Sequence, residues 1–280
     1  MAASFSFELL KLRKRVAVWA LGVILVFMVA FFDYFQFYSS IVSLQEGDTG
    51  PTGQITNVQQ FEEYLLPGNI TVNVAGLLSF FGGPIALILG ALSAGSEYGW
   101  GTLKTALTQR PGRINVLAGK LLAVGVVLFV FSLLALGTGA ISSYVVAGLL
   151  EEPVNWPAAE EILKGLGIIW LILGAWASVG IFLSILFQGT ALAIGLGLMY
   201  GLAIENLIFG FSDQSKVIEA ISKVLLTRNG GGLASSLGQT PQAFSSPDPV
   251  DPAQAALVLG GYVLVLLLMT ALLLRQRDVV

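Results

Sequence analysis

The sequence contains no cysteine and no histidine, and charged residues make up only 11% of its 280 residues. Without cysteine there is no disulfide, thiol nucleophile or iron–sulfur ligation. The sequence therefore does not indicate whether the protein faces an oxidising or a reducing compartment. The lack of histidine excludes Ser-His-Asp triads, H-E-x-x-H zinc sites and histidine proton relays. We expect no metal site and no catalytic residue. A net charge of −3 also offers no general attraction to nucleic acid.

Apolar residues, in contrast, make up 55% of the chain, and the mean hydropathy is +0.83. A typical soluble domain carries roughly 25% charged residues, far more than this chain. Six apolar runs have about the length that crosses a bilayer as a helix. They are Val16–Tyr38, Val74–Ala94, Leu121–Leu149, Gly165–Phe187, Ala191–Phe211 and Ala253–Leu274. The prediction is an all-α integral membrane protein, with residues 1–280 forming a single transmembrane domain of six transmembrane helices.

Basic and acidic residues are sorted between alternate loops. Basic residues precede the first run, lie between the second and third, and follow the sixth: Lys11, Arg13, Lys14, Arg15, Lys104, Arg110, Arg113, Lys120, Arg275 and Arg277. The segments after the first and third runs are acidic, with Glu46, Asp48, Glu62, Glu63, Glu151, Glu152, Glu160 and Glu161. Because basic loops stay in the cytoplasm, both termini are predicted to be cytoplasmic.

Three longer segments lie between the predicted spans, and the first, residues 39–73, is an acidic outer loop. Residues 95–120 form a cytoplasmic loop, and residues 212–252 form an extracytoplasmic segment. Within the latter, apolar residues at helical spacing predict an amphipathic helix over Ser215–Leu226, which Asn229-Gly230-Gly231-Gly232 should end. Residues 1–15 interleave apolar and charged positions. No part of the chain matches G-x-x-x-x-G-K-[ST], the phosphate-binding loop of ATPases.

The cytoplasmic loop carries the most specific pattern in the chain. It reads Glu-x-x-x-Gly-Thr-x-Lys from Glu97, then Leu-x-x-x-Pro-x-Arg from Leu107, and ends at Gly119-Lys120. This order, placed between the second and third spans, resembles the signature loop of permeases of the type-2 ABC exporter superfamily. The matching residues are Glu97, Gly101, Thr102, Lys104, Pro111, Arg113 and Lys120. From composition alone, the loop is equally a basic segment with the interfacial anchors Tyr98 and Trp100.

The resemblance implies a fold and a set of partners. In that family the loop is a coupling helix that docks on a separate ATPase subunit. The implied coupling residues here are Glu97, Tyr98, Gly99, Trp100, Gly101, Thr102, Leu103, Lys104, Arg110 and Arg113. Residues 1–15 resemble the amphipathic elbow helix before span one, and residues 212–252 match a region of short lateral or re-entrant helices. The implied assembly has two ABC ATPase subunits, which carry ATP and Mg, and a second permease copy, as a homodimer or related heterodimer.

Four residues within the spans are further candidates. Asp33 and Glu205 are acids in apolar runs, where charge is costly, and could attract a polar or cationic substrate group. Alternatively, Asp33 reaches water and Glu205 pairs with Asn206. Gly197 and Gly201 have the spacing of close helix approach, either at a dimer interface or within one chain.

We therefore predict a non-catalytic permease subunit of an ATP-driven exporter, coupled through residues 97–113. It should be a multi-pass protein of the lipid bilayer, in a prokaryotic plasma membrane. Two other functions stay open. A secondary carrier would show inverted repeats around midplane charges, which the chain lacks. A non-transporting assembly protein is compatible with the sequence.

Overall fold

The computed structural model describes residues 2–45, 58–99, 113–212, 215–238 and 250–276. Within these residues the chain is helical and forms no strand. Six helices are long and apolar enough to cross a membrane: Val16–Leu44, Pro67–Tyr98, Ile114–Leu149, Ala159–Leu186, Thr190–Gly210 and Pro252–Gln276. We call them spans 1 to 6. They confirm the predicted fold class, an all-α membrane protein with six transmembrane helices.

The helices run beyond the apolar stretches from which the spans were predicted. The helix of span 2 covers Ile70–Gly99 after a 3₁₀ turn at Pro67–Asn69, and the helix of span 3 covers Arg113–Leu149. A charged residue is costly only inside the hydrocarbon, so a helix can continue through polar residues at the membrane surface. Spans 1 and 5 each contain a π-helical segment, at Val29–Phe35 and Met199–Ile204.

Spans 2 and 4 form the centre of the bundle, where their backbones touch. A Cβ atom added at Gly90 would lie 2.2 Å from the carbonyl oxygen of Ala177, and one at Gly180 would lie 2.1 Å from that of Leu87. Any side chain at either glycine would hold the helices apart, since such distances are far inside van der Waals contact. Span 2 is consequently buried along most of its length, whereas spans 5 and 6 expose most of theirs.

Shorter helices complete the fold. A helix over Ala2–Arg13, the N-terminal helix, packs on span 3, and a short helix over Val58–Leu65 precedes span 2. Between spans 5 and 6, Ser215 caps a helix over Lys216–Ser222 by accepting a hydrogen bond from Val217 N.

The predicted end of the helix at Asn229-Gly230-Gly231-Gly232 is wrong. These residues lie inside a second helix, Leu226–Ser235, which is buried against spans 2, 4 and 6. Burial outweighs the low helix propensity of glycine, and the missing side chains allow close packing. A Cβ at Gly230 would lie 3.2 Å from Ser79 of span 2, and one at Gly232 would lie 2.9 Å from the Val250 carbonyl oxygen. We call this element the inserted helix.

Candidate functional site

The N-terminal helix reaches the bundle at Gly119, where span 3 offers a surface without a side chain. A Cβ at this glycine would lie 2.8 Å from Ser4 Cβ and 2.9 Å from Phe5 N. The helix turns Glu8 and Leu12 towards the protein and leaves Phe7 and Leu10 exposed. This orientation suits a helix beside a membrane, because Phe7 and Leu10 can contact lipid while Glu8 faces the protein interior.

Four charged side chains meet where the N-terminal helix, span 2 and span 3 converge. We call Glu8, Lys11, Glu97 and Lys120 the ion cluster. Lys120 Nζ lies 2.6 Å from Glu97 Oε1, and Lys11 Nζ donates a hydrogen bond to the same oxygen. Glu8 is more distant, with one oxygen 3.6 Å from Lys11 Nζ and the other 3.7 Å from Lys120 Nζ. Two acids and two bases give no net charge, which makes their burial tolerable.

Two bases also hold the backbone near the end of span 2. Lys120 Nζ donates to the Ser93 carbonyl oxygen at 2.9 Å, and Arg15 Nη1 donates to that of Leu92 at 2.7 Å. Each carbonyl thereby accepts a hydrogen bond from a positively charged donor, which is stronger than one from a neutral group. Burial lowers the pKa of Arg15, although the charge of Glu97 opposes this effect. Lys120 thus attaches the C-terminal part of span 2 to span 3, and Arg15 attaches it to the residue that precedes span 1.

Glu8 is the weaker acid of the cluster. Burial raises the pKa of its carboxyl above the usual value, against the attraction of Lys120, and the charge of Glu97 raises it further. The side chain of Glu97 is only 5% exposed and accepts both short contacts from lysine. Glu97 is thus the residue on which the cluster is centred.

The ion cluster lies next to the predicted coupling segment, residues 97–113. Glu97 is the first residue of that segment, and Lys120 follows its last residue by seven positions. The implied coupling residues Trp100, Gly101, Thr102, Leu103, Lys104 and Arg110 lie outside the described residues. Gly99 ends the helix of span 2, Arg113 begins that of span 3, and Tyr98 packs against the core. Glu97 itself is buried, and its carboxylate is directed inward to Lys11 and Lys120.

Sequence reasoning missed the partners of Glu97. Glu8 and Lys11 were part of a basic, interleaved N-terminal stretch, and Lys120 was only the last residue of the loop pattern. One signal was present: Glu8 is the single acid among the basic residues that precede span 1. An isolated acid in a basic segment is a reason to look for a buried base elsewhere in the fold.

Glu205 lies at the N-terminus of the inserted helix. Its two carboxylate oxygens accept hydrogen bonds from Leu226 N at 2.9 Å and Thr227 N at 3.0 Å. The first amides of a helix have no partner within it, and an anion there is stabilised by the helix dipole. Asn206 does not pair with Glu205, since its side-chain amide donates to the Leu202 carbonyl oxygen. Glu205 also borders a small pocket, lined on other sides by Phe80, Phe209 and Arg228.

The other span candidates lie inside the chain. Asp33 has no exposed surface, so it does not reach water as one interpretation of the sequence required. A Cβ at Gly197 would meet the Leu87 side chain at 2.5 Å, and one at Gly201 would meet Trp176 at 2.6 Å. Both glycines therefore face spans 2 and 4 of their own chain. These contacts favour packing within one chain over a dimer interface at this pair.

Comparison with known proteins agrees with the fold. No curated protein matches the chain. The sequence does match the model of a protein family described as "ABC-2 family transporter protein", over residues 2–279. This match covers the six spans, the N-terminal helix and the segment between spans 2 and 3. The chain belongs to the ABC-2 transporter family and is an ABC transporter permease.

Proposed function

We propose that this permease belongs to an ATP-driven exporter of a prokaryotic plasma membrane. The chain forms the substrate path, and ATP hydrolysis takes place on a separate ABC ATPase that holds ATP and Mg²⁺. Two ATPase subunits and a second permease copy, identical or related, complete the assembly. One observation supports this most: the ion cluster fastens both sides of residues 100–112 to the N-terminal helix.

This arrangement suits the transmission of force. The helix of span 2 is described up to Gly99 and that of span 3 from Arg113, so residues 100–112 lie in the sequence between two long helices. Lys120 of span 3 binds Glu97 of span 2, and Lys11 binds the same carboxylate. A movement of the segment is therefore passed to spans 2 and 3 and to the N-terminal helix as one unit. The ATPase must bind one conformation of this unit better than the other.

Glu205 supports a narrower part of the proposal. The pocket beside it combines aromatic walls with the charged residues Glu205 and Arg228, and it opens between span 5 and the inserted helix. Small-molecule sites commonly combine an apolar lining with a few polar groups. We place a portion of the substrate path here. The opening of this pocket should change in width when spans 2 and 5 move relative to each other, because Phe80 of span 2 forms one of its walls.

Co-expression with an ABC ATPase encoded beside this gene tests the proposal. The two proteins should co-purify, and the permease alone should hydrolyse no ATP. Gly101→Trp should lower the ATPase activity of the complex without loss of membrane insertion, because the bulky ring would disturb the docking segment.

Gly148→Trp is the matched control. Gly148 is an exposed position of span 3 where an added Cβ meets no atom within 4 Å. This variant should retain ATPase activity and co-purification. Failure of the wild-type proteins to associate would overturn the proposed partnership, and equal activity of both variants would remove the coupling role of the segment.

A further inference from the structure

A second group of buried polar side chains lies around Asp33, apart from the ion cluster. Asp33 belongs to the π-helical segment Val29–Phe35 of span 1 and is completely buried. Tyr34 and Tyr64 interact electrostatically with its carboxylate, and Asn73 of span 2 contacts Tyr34 and Tyr64. We call Asp33, Tyr34, Tyr64 and Asn73 the Asp33 cluster. It joins span 1, the short helix before span 2, and span 2 itself.

Several polar atoms of the Asp33 cluster have no hydrogen-bond partner in the described part of the chain. They are both carboxylate oxygens of Asp33, the Tyr64 hydroxyl and Asn73 Oδ1. Buried polar atoms in native proteins are nearly always paired, because an unpaired one loses its hydration without compensation. Four such atoms on three neighbouring residues indicate a bound species that satisfies them together.

The orientation of Asn73 defines the kind of species. Its Nδ2 donates to the Tyr64 carbonyl oxygen at 2.7 Å, and the Tyr34 hydroxyl lies 3.5 Å from the same nitrogen. The amide nitrogen must face that carbonyl, so Oδ1 remains an acceptor without a donor. Together with the carboxylate, the cluster offers three unpaired oxygen acceptors, and the Tyr64 hydroxyl adds a fourth oxygen. Carboxylate, amide and hydroxyl oxygens are ligands for hard metal cations.

The single carboxylate of the cluster favours a bound species that carries one positive charge. Asp33 is its only carboxylate, and no lysine or arginine of the described residues acts on it. A monovalent cation gives a neutral site, whereas a divalent one leaves an uncompensated buried charge. We propose that the Asp33 cluster binds one monovalent metal cation, for which Na⁺ and Li⁺ are the probes. Sequence reasoning predicted no metal site because no ligand motif marks these residues, which come from separate segments.

Bound there, the cation holds span 1 against span 2. The regular hydrogen bonding of span 1 is interrupted at the π segment that carries Asp33, and π segments recur at functional positions. Asp33 lies outside the pocket beside Glu205, so this site is separate from the proposed substrate path. The proposal consequently stands whether or not the exporter function is correct.

Thermal unfolding of the purified full chain in lipid nanodiscs tests the site, with intrinsic tryptophan fluorescence as the readout. At pH 8 and constant ionic strength, NaCl, LiCl and KCl are compared with N-methylglucamine chloride. A cation that binds only the folded protein raises the unfolding temperature in a saturable way. We expect this for at least one small cation in the wild-type protein and not for Asp33→Asn. The exposed variant Glu160→Gln is the control and should respond as the wild type does.

Two further measurements keep the test decisive if Asp33→Asn does not fold. Tyr64→Phe removes one hydroxyl and should raise the cation concentration for half-maximal stabilisation roughly three- to tenfold. Binding of radioactive ²²Na⁺ to the wild-type protein should be saturable and displaced by unlabelled Na⁺ or Li⁺. Equal unfolding temperatures in all four salts, without ²²Na⁺ binding, would overturn the proposal. Stabilisation by acid alone, lost in Asp33→Asn, would assign a proton in place of the metal.

Discussion

Buried charges in this permease are compensated in different ways. Glu97 shares a site with two lysines, and Glu205 accepts hydrogen bonds from the first amides of a helix. Asp33 has neither kind of partner among the described residues. An uncompensated charge is costly inside a membrane bundle. Replacing each acid should therefore change the stability of the protein by a different amount, according to the partners that the acid has.

Glu97→Gln should destabilise the folded protein by about 3 kcal/mol, because it leaves two lysines beside a neutral amide in a buried site. Glu8→Gln should cost roughly 1 kcal/mol, since Glu8 makes only longer contacts and burial makes its charged form less favourable. Thermal unfolding followed by tryptophan fluorescence compares the two. Equal losses would show that the cluster is not centred on Glu97.

Glu205→Gln should release the N-terminus of the inserted helix. A neutral amide can accept only one of the two hydrogen bonds and loses the attraction of the helix dipole, so we expect a cost of about 1 kcal/mol. Hydrogen exchange at Leu226 and Thr227 should become faster. Asn206→Ala, at the exposed neighbouring position, should leave this exchange unchanged. Unaltered protection in Glu205→Gln would contradict the capping role.

Among the elements, the N-terminal helix depends most on a single position. Its backbone lies against Gly119, and the ion cluster holds it from the side of Lys11. The two attachments differ in character, since one is steric and the other electrostatic. The steric one can therefore be removed without any change of charge.

Gly119→Ala should displace the N-terminal helix, because the new methyl group would lie within 2.9 Å of the backbone of Ser4 and Phe5. The expected cost is about 1–3 kcal/mol, as for other overpacked sites. Limited proteolysis should then cleave within residues 2–15 more rapidly. Gly137→Ala in the same span is the control, because a Cβ there meets no atom within 4 Å. The same cleavage rate in both variants would show that the helix does not depend on close approach at Gly119.

The inserted helix shows how far an element can depart from its local sequence. Three consecutive glycines predict a break, yet Gly230 and Gly232 are buried inside the helix. Contacts with Ser79 and Val250 are possible only without side chains. Whether these glycines are helical depends on the residues that pack against them, and helix propensity contains no information about those residues.

On the scale of the whole molecule, the spans differ in how much surface they share. Spans 2 and 4 form the interior, while spans 5 and 6 are largely exposed within the chain. The apolar faces of a membrane helix can contact lipid and need not be buried against the same chain. The exposed surfaces of spans 5 and 6 are therefore available to lipid or to another subunit. The exposed surfaces of spans 5 and 6 leave room for the proposed second permease copy.

The orientation of the bundle can be measured because the native chain contains no cysteine. The positive-inside rule predicts that Glu152, after span 3, is outside and Arg275, at the end of span 6, is inside. A membrane-impermeant maleimide should label Glu152→Cys on intact cells and should label Arg275→Cys only after the membrane is permeabilised. The reverse pattern would invert the predicted topology. The unsubstituted chain supplies the background.

The number of spans and the expected sidedness follow from the sequence alone, because lipid requires long apolar helices and basic loops remain in the cytoplasm. The loop pattern around Glu97 likewise indicated the family before the fold was known. These features depend on short windows of residues, in which length, apolarity and order are sufficient.

Only the tertiary structure decided which charges meet. Lys11 and Glu97 are separated by 86 positions, and Glu205 caps a helix that begins 21 residues later. Such contacts arise from how the helices pack, and packing depends on the side chains of several elements at once. The Asp33 cluster is the clearest case, since three separated segments must come together before its unpaired oxygens share one place.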